Sequence, residues 1–319
     1  MKRINLTFIL LVCSSAASAQ DYIDLFKFDY ANTPVNKFDT TEVTTRLQEI
    51  NGDLTVPIAI NDNFALLTGI IFENASASFN PDREVESMTG ITLKLGANIK
   101  FNSKWSGTYL LLPKISSDLK KISNRDFQFG GAVLMKYSKS SNFSYKFGVY
   151  ANNELFGVFI VPIFGFYYLS PSQKFEAKVI LPLAVDLNYS ITKSVRFGLN
   201  FRGQVRTYNV NTPVELETNR YLTKSANDVY AYCQYGMKNG LNFQLGFGRS
   251  FARSYRMYNE KVSLGIPLYY FGNNRTQLNM DFSDGWLFKA TVFYRLKLGK
   301  TAANRVKNIE KPNTDSLVE

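Results

Sequence analysis

Along residues 194 to 207, SVRFGLNFRGQVRT, apolar and polar positions alternate with a period of two. Val195, Phe197, Leu199, Phe201 and Val205 fall on one side, and Arg196, Arg202 and Arg206 on the other. Successive side chains of a β-strand point to opposite faces, so this spacing predicts a strand with one oily face and one charged face. ITLKLGANIKF repeats it: Ile91, Leu93, Leu95, Ala97 and Ile99 oppose Thr92, Lys94, Asn98 and Lys100. Similar runs begin at Phe127, Phe143, Phe175, Leu241 and Trp286. The segment LFGVFIVPIFGFYYL, from Leu155 to Leu169, is apolar at both parities and rich in β-branched and aromatic residues, which predicts a strand that is apolar on both faces.

Polar turns separate these runs. Short ones lie at 61–63, 102–104, 138–142, 170–174 and 238–240, and longer connections near 80–88, 118–125, 208–226 and 250–260. Alternating short and long connections are the mark of a transmembrane barrel. The turns near 170–174 and 190–194 are both short, although a single strand between them would place them on opposite sides. That requires a second reversal near Pro182 or one short external loop. Tyr167, Tyr168, Tyr230, Tyr232, Tyr269 to Phe271 and Tyr294 stand near strand ends, as interfacial aromatic girdles do. The expected fold is all-β, a transmembrane antiparallel up-and-down β-barrel of about fourteen strands, within a range of twelve to sixteen. The alternative is a soluble secreted β-protein whose oily face covers a second sheet.

The N-terminal MKRINLTFILLVCSSAASAQ has a basic start, a short apolar core and small residues at Ala17 and Ala19, the pattern of a secretory signal over residues 1–19. Residues 20–299 then form the barrel, and the polar residues 300–319 a C-terminal tail. Export and barrel architecture together predict the outer membrane of a Gram-negative cell. The expected partners are outer-membrane lipid, lipopolysaccharide and the barrel-assembly machinery; no nucleic-acid partner is expected. Cys233 alone survives cleavage of the signal, so no internal disulfide forms.

Composition narrows the chemistry. The chain of 319 residues contains no histidine, which removes the commonest general base, the Ser-His and Cys-His nucleophiles and most zinc sites. GFGRSF at Gly246 lacks the third glycine of a dinucleotide loop and sits where a strand continues. No catalytic residue, cofactor or metal is expected, and the protein is not expected to be an enzyme.

The inward charges remain: Lys94, Lys100, Glu176, Asp186, Arg196, Arg202 and Arg206 are the expected lumen-lining set. A single hairpin over 175–205, turning near Ile191, places Asp186 opposite Arg196 and Glu176 opposite Arg206. Two uses fit these residues. They brace the wall as interior ion pairs in a structural or surface-binding barrel without an open pore. Alternatively, with the basic residues in excess and the chain's net charge at +11, they line a passive channel or transporter for small anionic solutes.

Three stretches also carry a resemblance: TTEVTTRLQEINGDLTVPIAINDNFALLTGIIFE from Thr40, IVPIFGFYYLSPSQKFEAKVILPLAVDLNY from Ile160 and RSYRMYNEKVSLGIPL from Arg253. With their patterns of Gly, Pro and aromatics they resemble an uncharacterised family of bacterial outer-membrane β-barrel proteins, a domain of unknown function. The resemblance implies the barrel and transfers no active site.

Overall fold

The computed structural model describes residues 22–81, 83–211 and 219–297. The expected signal segment and C-terminal tail lie outside the described residues. Sixteen strands follow in order: β1 Tyr22–Lys37, β2 Thr44–Asn61, β3 Phe64–Ala77, β4 Glu86–Lys100, β5 Trp105–Ser117, β6 Phe127–Ser140, β7 Phe143–Glu154, β8 Gly157–Leu169, β9 Phe175–Leu181, β10 Ala184–Ser190, β11 Val195–Asn209, β12 Tyr221–Gly236, β13 Leu241–Tyr258, β14 Leu264–Ile266, β15 Tyr269–Phe271 and β16 Trp286–Lys297. Fourteen of them form the wall. Each of β1 to β12 pairs antiparallel with the next, β13 pairs with β16, and β16 returns to β1 through Tyr22↔Lys297 to Asn32↔Phe288. At the level of β9 and β10 the ring is closed without an open edge, as a lipid environment requires. No helix among the described residues is long and apolar enough to cross a membrane.

Alternation sorts the side chains. On β11, Phe197 and Leu199 face out at 48% and 56% exposure, and Leu245 on β13 faces out at 70%. Their inward neighbours Arg196 and Arg202 make ion pairs inside. An apolar surface running around the whole wall far exceeds the patches that water-soluble proteins expose; it is the lipid-facing band of a membrane barrel. Cys233 lies on this outer face, opposite Phe197 and Leu245. β8 is apolar on both faces, as its sequence predicts. Phe164 and Phe166 point out, while Phe159, Val161 and Ile163 are buried inside.

The girdle needs correcting. Tyr168, Tyr269, Phe271 and Tyr294 are outward or exposed, but Tyr167, Tyr230 and Tyr232 are buried. They sit at inward parity, where their hydroxyls and rings serve the interior. The Tyr232 hydroxyl donates to Asp186 at 3.0 Å and the Tyr167 hydroxyl to Glu176 at 3.1 Å. Tyr232 gets there by lying over Gly198, its direct partner on β11, where a Cβ would come within 2.4 Å of its ring.

Both short turns of the ambiguous region are at one end of the barrel, because a reversal at Pro182 and Leu183 divides the segment into β9 and β10, seven residues each. The single-hairpin register is therefore wrong. Asp186 faces Asn200, Ser190 faces Arg196, Ala184 faces Arg202, and Glu176 faces Asn188 across β9–β10. The connection expected near 250–260 also moves. β13 runs on to Tyr258, and the long connection is 259–285, which carries the β14–β15 hairpin. One end thus has the short turns after β2, β4, β6, β8, β10 and β12. The other has the long connections, together with tight reversals at Leu155–Phe156 and Pro182–Leu183.

Candidate functional site: a sealed outer half above a basic mouth

The seal begins with the short hairpin. β10 stops at Ala184, so beyond Arg202 the strand β11 loses its neighbour on that side, and a last contact joins Gly203 N to the Leu183 carbonyl at 2.9 Å. The free edge turns inward and reaches the opposite wall, where Asn209 bridges Ser117 of β5 in parallel. Thr207 fastens it. Its carbonyl accepts from Ser116 Oγ at 2.7 Å and Gln128 Nε2 at 3.1 Å, its N–H donates to Glu154 Oε2 at 3.0 Å, and its hydroxyl donates to the same oxygen at 2.5 Å. Asn209 Nδ2 donates to Asp126 at 2.7 Å in the 3-10 turn Asn124–Asp126. One strand end thereby satisfies its polar groups on β5, β6 and β7, across the lumen.

Ion pairs fill the space around this seam. Arg206 Nε meets Glu73 of β3 at 2.9 Å, Lys224 of β12 meets Glu49 of β2 at 2.5 Å, and Lys114 meets Glu154 at 3.6 Å. Asp29 of β1 takes Lys289 at 3.3 Å and Arg202 at 3.8 Å. Above them pack Phe38, Phe79, Met88, Tyr208, Tyr255 and Phe282, all buried. A second cluster of Phe156, Phe159, Val161, Tyr221, Tyr258 and Val262 packs with Leu183, Val205 and Tyr270 beside the short hairpin. There Arg275 lies 4.2 Å from the Tyr258 ring and 4.8 Å from that of Tyr270. Burial pushes the Tyr270 phenol above its ordinary range, against the pull of Arg275.

The structure places the seven lumen residues as follows. Lys94 is paired with Asp53 and donates to Thr55 Oγ1 at 2.7 Å. Arg196 lies 3.6 Å from Glu176, which also takes Lys178 at 3.6 Å and the Tyr22 hydroxyl at 2.7 Å. Asp186 accepts from Tyr232, Asn188 and Asn200. Arg202 and Arg206 belong to the outer half, with Asp29 and Glu73, so Glu176 and Arg206 are not partners. Lys100 lies at the short-turn mouth.

That mouth holds a cavity of about 200 Å³ lined by Lys100, Lys104, Lys136 and Lys146 with Asn98, Ser106, Thr108 and Ser138. Lys100 faces Ser106, Ser106 faces Lys136, and Lys136 faces Lys146, so three lysines share one rung across β4 to β7. Lys136 and Lys146 were missed in the sequence reading, although FQFGGAVLMKY and FSYKFGVYA put them at inward parity by the same alternation that singles out Lys94 and Lys100. Among the described residues no group of three or more Cys, Asp or Glu is arranged to hold a metal.

An apolar outer band, a closed antiparallel wall and a polar interior define a transmembrane β-barrel. The chain belongs to the family described as a domain of unknown function, DUF6268, whose model matches residues 17–283. No curated protein matches it. Among solved structures it is similar to the toluene transporter TodX of P. putida, at 9% identity and TM-score 0.38, covering 90% of this chain and 93% of that one. A Pseudomonas aeruginosa FadL homologue gives 10% identity and TM-score 0.35, covering 86% and 90%. The NanC porin gives 10% and 0.32, covering 85% and 100%. These values describe a likeness in barrel architecture and nothing finer.

Proposed function

We propose that the protein is an outer-membrane barrel of the channel or transporter type, closed in this conformation, that admits small anions at its short-turn, periplasmic mouth. One observation carries this reading: a rung of three lysines opens to the mouth directly below a seam that a single strand end makes across the lumen. Fixed positive charge lowers the energy of an anion inside a constriction. Lys94, Arg196, Arg202 and Arg206 are matched by carboxylates and hold the seam and wall, while Lys136 and Lys146 face each other at the mouth.

Conductance of the purified protein in a planar bilayer tests this. The wild type is expected to be mostly closed. Glu154→Gln with Thr207→Val, which removes the clasp on β11, is expected to raise conductance with an anion-selective reversal potential in a potassium chloride gradient. Steady wild-type conductance unchanged in the clasp variant would remove the gate. Silence of both would favour the second reading, a structural barrel, for which the trans-lumen pairs Lys224–Glu49 and Arg206–Glu73 already speak.

A further inference from the structure

Many basic side chains of the interior meet carboxylates, but one adjacent pair does not. Lys136 and Lys146 are direct cross-strand partners at the short-turn end, and among the described residues neither has a carboxylate beside it. Like charges directly opposite on one face of a sheet are destabilising, because their Cβ atoms are only about 4.5–5.5 Å apart. Next to them is open space, the cavity of about 200 Å³, walled further by Lys100 and by the hydroxyls of Ser106 and Ser138. A fold that sets these two lysines face to face beside a cavity has room for a counter-charge from outside the chain.

We propose that Lys136 and Lys146 form a binding site for a soluble phosphate-bearing anion, completed by Ser106 and Ser138. The chemistry selects the class. Each ammonium offers three rotatable donors and a compact charge, which suits a tetrahedral oxyanion carrying two charges better than a planar carboxylate carrying one. The lysines point into the lumen, away from lipid, so the ligand arrives from water. The cavity takes a phosphate or pyrophosphate group and excludes a large apolar body. This deepens the anion reading of the mouth, yet it concerns equilibrium binding and stands apart from conduction.

The test is calorimetric titration of the purified full chain in detergent with sodium pyrophosphate, and with inorganic phosphate. Saturable binding at one site is expected, and Lys136→Gln with Lys146→Gln should weaken it at least tenfold. Lys193→Gln with Lys238→Gln, at exposed turn lysines of the same end, should leave it within twofold. Lys146→Glu guards against a folding artefact: it sets a carboxylate opposite Lys136, so it should abolish binding while raising Tm in ligand-free buffer. Equal binding by the wild type and the rung variant, equal loss in the turn variant, or a Lys146→Glu protein that still binds would each overturn the site. Binding without conductance keeps the site and rejects the passage; conductance without binding does the reverse.

Discussion

The outer half of the interior and the β4–β7 side of the mouth treat charge differently. In the outer half Glu49, Glu73, Asp29 and Glu154 each face Lys or Arg, several of these from the far side of the lumen, and the pairs are buried under aromatic side chains. At the mouth, three lysines share a rung beside open space. The difference traces to one local event, the reversal at Pro182–Leu183. By ending the wall early beside β11 it frees an edge that must find partners, and the nearest are across the lumen. Where β9 and β10 are present, at the level of the mouth, β11 keeps its place in the wall between β10 and β12.

The comparison breaks first at Lys224. Removing one member of a buried pair leaves an uncompensated charge, so Lys224→Ala should cost about 3–5 kcal/mol in urea unfolding of the barrel in lipid vesicles. Glu49→Gln with Lys224→Met should recover most of that. Lys146→Gln in the mouth should instead be neutral or stabilising. A mouth variant as damaging as Lys224→Ala would mean that both halves are structural.

A smaller effect sharpens the register across the lumen. Arg206→Glu should be rescued by Glu73→Arg, with a coupling of about 0.5–3 kcal/mol, the span found for residues in direct contact. Glu176→Arg should give no rescue, because Glu176 lies at the level of the mouth with Arg196 and Lys178. Rescue by Glu176→Arg would restore the single-hairpin register and remove the reversal.

Much of the wall is legible in the sequence, since period-two alternation fixes which side chains face in. It places Leu199 outside and Arg202 inside, and the doubly apolar run of β8 announces a strand with packing on both sides. Alternation says nothing about what an inward residue meets across the lumen. Arg206 finds Glu73, more than a hundred residues away in sequence, only once the barrel has closed and β11 has leaned in. The reversal at Pro182 is weakly marked, with apolar residues on both sides and no polar turn cluster, so the register built without it fails. Tyr167, Tyr230 and Tyr232 show the same limit: nearness to a strand end suggests a girdle, but parity decides, and parity turns them inward. Lys136 and Lys146 were readable from alternation alone; their significance appears only when the ladder sets them face to face.

The central claim is that β11 crosses the lumen to β5, and a disulfide tests it most directly. Ser117→Cys with Asn209→Cys, in a Cys233→Ser background, places two thiols on bridged residues of opposite walls, and a disulfide forms only at a Cα separation of roughly 4.4–6.8 Å. Oxidation of the protein in native membranes should give an internal cross-link, detected by the mass of the joined peptides and lost on reduction. Two free thiols that persist under oxidant, and react from the lumen with a water-soluble maleimide, would contradict the account.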